Sequence, residues 1–377
     1  MINFILAPDS FKESMTAKEV CIAMEKGIRK VIKDAKIIHV PMADGGEGTL
    51  QALIDATNGK LLYKEVLNPL GDKIRARFGV LGDNKTAIIE MAEASGLELI
   101  KKEERNPMIT TSFGTGELIK AALDLNVSNI VIGLGGSATN DAGVGMLQAL
   151  GVSFLDEDNK EISFGGKELE RIKKIDLSNF DKRIEKVKIE VACDVTNPLT
   201  GENGASYVFA RQKGANGEMI KVLDSNLKSY SNIVKNSFNI DINNIEGAGA
   251  AGGIGASLVG FCGGELKKGI DIVTKYSMLE EKIQKADYIF TGEGSIDSQT
   301  KFGKTISGVA RLGKKYNVPV IALGGRVDSN IDELYDIGVT AVFGILKEIT
   351  SLEDALKTGP ENIEKTIENI IRTLMLN

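Results

Sequence analysis

Along the chain, short β-branched runs alternate with amphipathic stretches of about ten residues, the pattern of strands joined by crossover helices. Residues 3–7 form a first strand. After Pro8-Asp9-Ser10-Phe11-Lys12, Thr16-x-x-Glu19 is a capping box that opens a helix to about Val31. Residues 36–40 are a second strand, followed by a loop at 41–49 and a helix through about Ala56. From about Lys60 the pattern changes: strand-like runs at 61–66, 74–80 and 86–91 are separated by the turn signals NPLGD (68–72) and GDN (82–84), which predicts an antiparallel meander. A helix at 115–124 leads into a strand at 129–132, a hairpin is expected over 152–162, turning at 156–159, and 188–193 is a further strand. A charged helix runs from 217 to about 234, and GAGAAGGIGASLVGF (247–261) enters an apolar helix. The last third returns to crossover units, with strands at 287–290, 318–323 and 341–345, loops at 291–297 and 324–326, helices at 306–316 and 331–337, and an amphipathic tail helix from about Pro360.

Strands near 3, 36, 287, 318 and 341 would make one parallel sheet from both chain ends. The predicted fold is therefore α/β: a Rossmann-like or flavodoxin-like parallel-sheet domain (1–60 and 282–377), an inserted mixed-sheet α/β domain (61–281), and an active site in the interdomain cleft. Ligands of open parallel sheets bind beyond the carboxyl ends of the strands. The loops at those ends hold Asp9, Asp44, Glu47, Glu293 and Asp297, and the middle region offers Asp141 and Asp194 in the same way.

The most distinctive stretch is VIGLGGSATNDAGVG (131–145), a strand breaking into glycines and then into a helix. Gly133, Gly135 and Gly136 allow close approach to another group, Ser137, Thr139 and Asn140 add donors, and backbone amides at such a junction attract phosphate or carboxylate. Asp141 would cap the helix or hold a cation that the anion also touches. With the cations Lys12, Arg211, Lys213, Lys304 and Arg326, this set matches what phosphoryl transfer needs, because its catalysis is mostly positioning and charge neutralisation.

Composition removes several alternatives. A net charge of −6 and the lack of a basic run argue against a nucleic-acid partner. No apolar stretch is long enough for a bilayer. The opening MINFILAPDS has no basic region ahead of its apolar run, so it is a strand rather than a signal peptide. Three scattered cysteines fit a reducing compartment, and the chain is read as cytoplasmic. With one histidine, a Ser-His-Asp triad or a histidine-rich zinc site cannot be built. His39 is read as strand-end packing, and Cys193 as a strand residue rather than a nucleophile. Residues 247–252 match the dinucleotide fingerprint formally, but the preceding 241–246 are too polar for a buried strand. Gly303-Lys304-Thr305 fails as a Walker motif because Ser298 stands where glycine is needed.

Seven blocks in order, APDSFKES (7–14), ADGGEGT (43–49), GLGGSATNDAG (133–143), ACDVTNPL (192–199), QKGA (212–215), GAGAAGG (247–253) and TGEGSIDSQT (291–300), closely resemble the bacterial glycerate kinase family over nearly the whole chain. Phe302 is a peripheral departure from the family pattern. The resemblance implies a two-domain kinase that uses ATP and Mg²⁺ to phosphorylate D-glycerate, usually to 2-phosphoglycerate, with 3-phosphoglycerate the other product.

Chemistry then suggests roles. Asp194, followed by Asp297, is the expected base, with Lys12 also catalytic. Asp9, Ser10, Asp44, Gly45, Gly46, Glu47 and Arg326 would bind substrate. Gly133, Gly135, Gly136, Ser137, Asn140, Lys213 and Lys304 would bind nucleotide or phosphate, and Asp141 and Glu293 the metal. Partners are expected to be small molecules only, with no nucleic acid and no membrane, and the protein a monomer or homodimer. The other readings are a kinase for another small hydroxylated metabolite, since GLGGSA is similar to the phosphate loop of the galactokinase and homoserine kinase group, and a catalytically silent nucleotide-binding regulator.

Overall fold

The computed structural model describes residues 1–300 and 304–376; Phe302 lies outside the described residues. The chain divides into two compact units, one comprising 1–44, 51–58 and 270–377 and the other 45–50 and 59–269.

The first unit is built on a five-stranded parallel sheet in the order Ala341–Gly344, Val320–Val327, Tyr288–Ile296, Asn3–Leu6, Lys36–His39. Both chain ends supply strands, as the crossover pattern predicts. Thr16 and Glu19 form the expected capping box at the start of the helix Ala17–Arg29. Val20, Met24 and Ile28 of that helix pack with Phe4, Leu6, Phe290 and Leu323 of the sheet and with Ile363, Ile367 and Ile371 of the tail helix Gly359–Leu374. The i, i+4 spacing of these residues is what gives each helix a single apolar face.

One difference from the sequence expectation matters for the site. The stretches 291–297 and 324–326, predicted as loops from their glycines, lie mostly in strand: Gly292 pairs with Leu323, Glu293 with Gly324 and Ser295 with Arg326. Glycine signals a loop only where the backbone lacks a partner, and here each glycine-rich segment supplies the other's. Glu293 thereby projects from a strand. The expected helix at 331–337 shortens to Glu333–Asp336.

The second unit carries a six-stranded mixed sheet in the order Glu265–Lys267, Lys188–Ala192, Asn129–Gly133, Thr86–Glu90, Lys73–Val80, Lys60–Leu67. The last three form the expected antiparallel meander, and the rest pair parallel. Its core joins Ile89, Ile130, Ile132 and Val191 of the strands to Leu118, Met146, Leu227 and Tyr230 of the helices. Tyr230 is fully buried, and its hydroxyl meets Ser257 Oγ at 3.1 Å, so the phenol is not left unsatisfied. The predicted hairpin over 152–162 is present in short form: Leu155 bridges Glu161 antiparallel, and the Ile162 amide donates to Phe154 O at 2.9 Å. Asp156 accepts the amides of Asp158 and Lys160, while the strand Ser153–Leu155 takes Lys174–Asp176 as its partner. Asp156 also receives Arg171 Nη2 at 2.7 Å. No helix among the described residues is long and apolar enough to cross a membrane.

Candidate active site

In the first unit, parallel strands aim their carboxyl ends the same way, and the residues that follow them converge. Asp9 follows the strand Asn3–Leu6, and its amide donates to Gly292 O at 2.9 Å. Its carboxylate accepts Thr305 Oγ1 at 2.6 Å and the Ser10 amide at 2.6 Å. Burial pushes Asp9 up to about 6, opposed by the Thr305 hydrogen bond and reinforced by the charge of Asp44. Glu293 accepts Thr300 Oγ1 at 2.8 Å, and Lys304 Nζ lies 4.0 Å from its other oxygen. Burial pushes Glu293 up to about 7; Thr300 and Lys304 hold it down, while the charges of Asp9 and Asp297 add to the rise. Burial thus raises two carboxyls toward neutrality at the same edge of the sheet.

The remaining predicted residues of this unit are placed less uniformly. Asp297 is partly committed to its own turn, accepting the Gln299 amide at 2.8 Å. Lys12 is exposed. Arg326 is 76% exposed, with Asp328 at 3.8 Å. Thr300 and Thr305, which hold these carboxylates, have no assigned role in the sequence reading, although Thr300 ends the TGEGSIDSQT block and Thr305 follows Lys304.

In the second unit, the glycine loop after Asn129–Gly133 exposes Gly135 and Gly136, the latter at φ +74°. Their amides donate to no other group among the described residues, which leaves two backbone N–H groups at the surface for an anion. A Cβ at Gly135 would lie 3.2 Å from Gly46 Cα, so glycine is what lets the loops at 44–48 and 133–136 approach each other.

Four residues expected to contact metal or phosphate, Asp141, Lys213, Ser137 and Asn140, are buried here and bonded within the protein. Asp141 is 1% exposed, and its carboxylate takes the Ser112 amide and hydroxyl, both at 2.8 Å, the Gly143 amide at 3.1 Å and the Gly145 amide at 3.3 Å. It is a loop brace rather than an open metal ligand. With the Val144 amide on Asp141 O, the Gly145 amide on the Asp141 carboxylate and the Met146 amide on Ser112 Oγ, the first turn of the short helix Val144–Ala149 has no N–H groups to offer a phosphate. Lys213 is likewise buried, with Nζ donating to Ser137 Oγ at 2.6 Å and Thr139 O at 2.7 Å. Burial pushes its ammonium down to about 7, against the pull of Asp141. Lys213 and Ser137 therefore hold the loop from inside instead of reaching for phosphate. Asn140 is also buried; Nδ2 donates to Ser206 Oγ at 3.0 Å.

The second glycine-rich patch explains itself by packing. Gly252 has φ +67° and accepts the Ala142 amide at 3.0 Å, and any Cβ there would overlap Thr139 O. It supports the first loop and is no dinucleotide site. Replacing Asp141 by Ala should cost about 3 kcal/mol or more, since several buried donors lose their acceptor; urea unfolding would show this as a lower midpoint.

Asp194 follows the strand Lys188–Ala192, is exposed, and accepts the Gly269 amide at 3.0 Å. Cys193 beside it is half-buried, donates to Val195 O at 3.2 Å and is pushed up by burial, the opposite of an activated thiolate. His39 Nε2 lies 2.7 Å from Glu25 Oε2 at the sheet's edge strand, close enough for attraction although not aligned as a hydrogen bond.

This chain matches the model of the glycerate kinase family over residues 4–375. The chain belongs to that family. It is 52% identical to a glycerate kinase of Haemophilus influenzae over 373 residues, covering 99% of each chain. It is 49% identical to a glycerate 2-kinase of Escherichia coli over 375 residues, covering 100% of this chain and 98% of the other. A crystal structure assigned as a glycerate kinase 2 of Salmonella typhimurium LT2 matches with a TM-score of 0.92 at 47% identity, each chain covered completely. The protein is a kinase, and membership agrees with the α/β architecture and with the seven sequence blocks. No three of His, Cys, Asp and Glu among the described residues are gathered so as to hold a metal ion by themselves.

Proposed function

We propose that this kinase transfers the γ-phosphoryl group of ATP to D-glycerate, forming 2-phosphoglycerate and ADP. The observation that carries the reading is end-to-end similarity, at 49% identity, to a protein named glycerate 2-kinase. In the reaction the 2-hydroxyl oxygen forms the new bond to Pγ, the bond from Pγ to the bridging oxygen breaks, and ADP leaves with those electrons. The hydroxyl proton needs an acceptor. Asp194 takes this role in our reading: it is exposed, sits at a strand's carboxyl end and is held by the Gly269 amide.

Asp9 and Glu293 fit a seat for Mg²⁺. Burial makes their ionisation costly, and a cation would offset that cost. Bound there, Mg²⁺ would neutralise phosphate charge. The exposed amides of Gly135 and Gly136 suit a phosphate or carboxylate oxygen, and Lys304 supplies a nearby positive charge to the carboxylate cluster. Asp44, Gly45, Gly46 and Glu47 are assigned to glycerate. Asp297 and Lys12 remain the secondary candidates for proton transfer and charge neutralisation, and Ser10 and Arg326 for substrate contact.

The test is ADP release from Mg-ATP with D-glycerate, L-glycerate, glycerol, homoserine and galactose offered separately, with the product identified by phosphorus NMR. Turnover confined to D-glycerate with the phosphate at carbon 2 is expected. A 3-phosphoglycerate signal would correct the position, and turnover on another alcohol would correct the substrate.

A further inference from the structure

Glu90 follows the apolar Ala87, Ile88 and Ile89 at the end of a fully buried strand, Thr86–Glu90, and is itself 6% exposed. It pairs in register with Gly133, the first glycine of the exposed loop. Its Oε1 accepts the amide of Leu50 at 2.7 Å, in the first turn of the helix Thr49–Thr57 that follows the loop at 44–48. The same neighbourhood is tight: a Cβ on Gly133 would lie 3.1 Å from Gly45 O and 3.9 Å from Glu90 Cγ. Arg77, Glu93 and Glu47 are the charges that act on Glu90. Thr49, next to Leu50, is fully buried, and its Oγ1 has no hydrogen-bond partner among the described residues.

A carboxylate is a poor choice for filling a strand end. Burying it costs several times what an apolar side chain would gain, unless its acceptor capacity is used. Here that capacity is spent on one backbone amide, at the point where the loop enters its helix, and the glycine loop passes directly beside it.

We infer that Glu90 is a positioning residue for the hydroxy-acid substrate: by holding the Leu50 amide it sets the backbone of Gly45, Gly46 and Glu47 against the loop at Gly133. The inference rests on the reading that those three residues contact glycerate. The amide needs an acceptor oxygen, not a charge. A carboxamide in the same place should therefore serve, and a side chain without an acceptor should not.

The experiment compares Glu90→Gln, Glu90→Ala and Glu90→Met, with Glu47→Gln and Gly46→Ala alongside, measuring KM for glycerate, KM for ATP and kcat. Glu90→Ala is expected to lower kcat/KM for glycerate about thirtyfold or more, mostly through KM, because misplacement of a binding group by an ångström is enough for such a loss. KM for ATP should stay within about twofold, and Glu90→Gln should keep kcat/KM within about fivefold of the wild type. Should Glu90→Ala fail to fold, Glu90→Met fills the volume without an acceptor and takes its place. Equal effects of Gln and of Ala or Met, or equal changes in both KM values, would overturn the inference. If Glu47→Gln and Gly46→Ala leave KM for glycerate unchanged, the assignment of the loop to glycerate fails instead.

Discussion

With Glu293 replaced by Gln, turnover is expected to fall by about a hundredfold or more while the protein becomes more stable at pH 8. Both effects come from the same burial. Glu293 is pushed from its ordinary 4.5 up to about 7, first by desolvation and then by the charges of Asp9 and Asp297. The sign follows from proton binding. A carboxyl whose folded-state pKa exceeds its unfolded value holds more protons in the folded protein between those two values. Its stabilising contribution is fully present below about 4.5 and is lost as pH rises through about 7. Above that, the folded protein carries a buried charge that it would be more stable without. Glutamine keeps the shape, accepts the Thr300 hydroxyl through its amide oxygen, and carries no charge. A gain on the order of 2 kcal/mol at pH 8 is expected, shrinking to nothing near pH 4. Thermal unfolding of both proteins at the two pH values measures it. A shift of equal size at both would show that ionisation is not its cause, and unchanged turnover would remove Glu293 from the site.

Asp194→Asn should reduce kcat by about two to four orders of magnitude without loss of stability. Asparagine is isosteric and retains an oxygen for the Gly269 amide, so the loop after Lys188–Ala192 keeps its anchor. What it lacks is a carboxylate to accept the hydroxyl proton. Because binding is not the step affected, KM for glycerate should change by less than about threefold. Near-normal kcat would transfer the role to another carboxylate, with Asp297 the next to be tested. A large rise in KM with kcat preserved would mean that Asp194 binds glycerate rather than deprotonates it.

These two residues illustrate different routes to a functional assignment. Asp194 was visible as a carboxylate after a β-rich run, because strand periodicity places such a residue at the sheet's carboxyl edge. Glu293 was visible too, but as a loop residue, since its neighbours Gly292 and Gly294 mimic turn chemistry. Its strand geometry depends on Gly324, thirty-one positions away, whose backbone pairs with it. Glu90 carries no sign of a role in the sequence. Within the run TAIIEM it reads as one polar position near the end of a strand, and only the folded chain brings the Leu50 amide to its Oε1, at 2.7 Å.

The chain by itself determined what depends on short-range order: the strands of both sheets apart from Glu265–Lys267, the capping box at Thr16 and Glu19, the antiparallel meander, the glycine loop after residue 133, and the family, through seven ordered blocks. Periodicity and turn chemistry act over a few residues, so they can be read along the sequence. Tertiary structure alone decided the solvation and the partners of each charge. Asp141 and Lys213 look like ligands in the sequence, but the folded chain buries both and spends their hydrogen bonds on Ser112, Ser137 and Thr139. Asp9 gains its hydrogen bond from Thr305, 296 residues away. A side chain's charge state and availability are set by desolvation and by donors brought from distant segments, and neither quantity exists until the chain has packed.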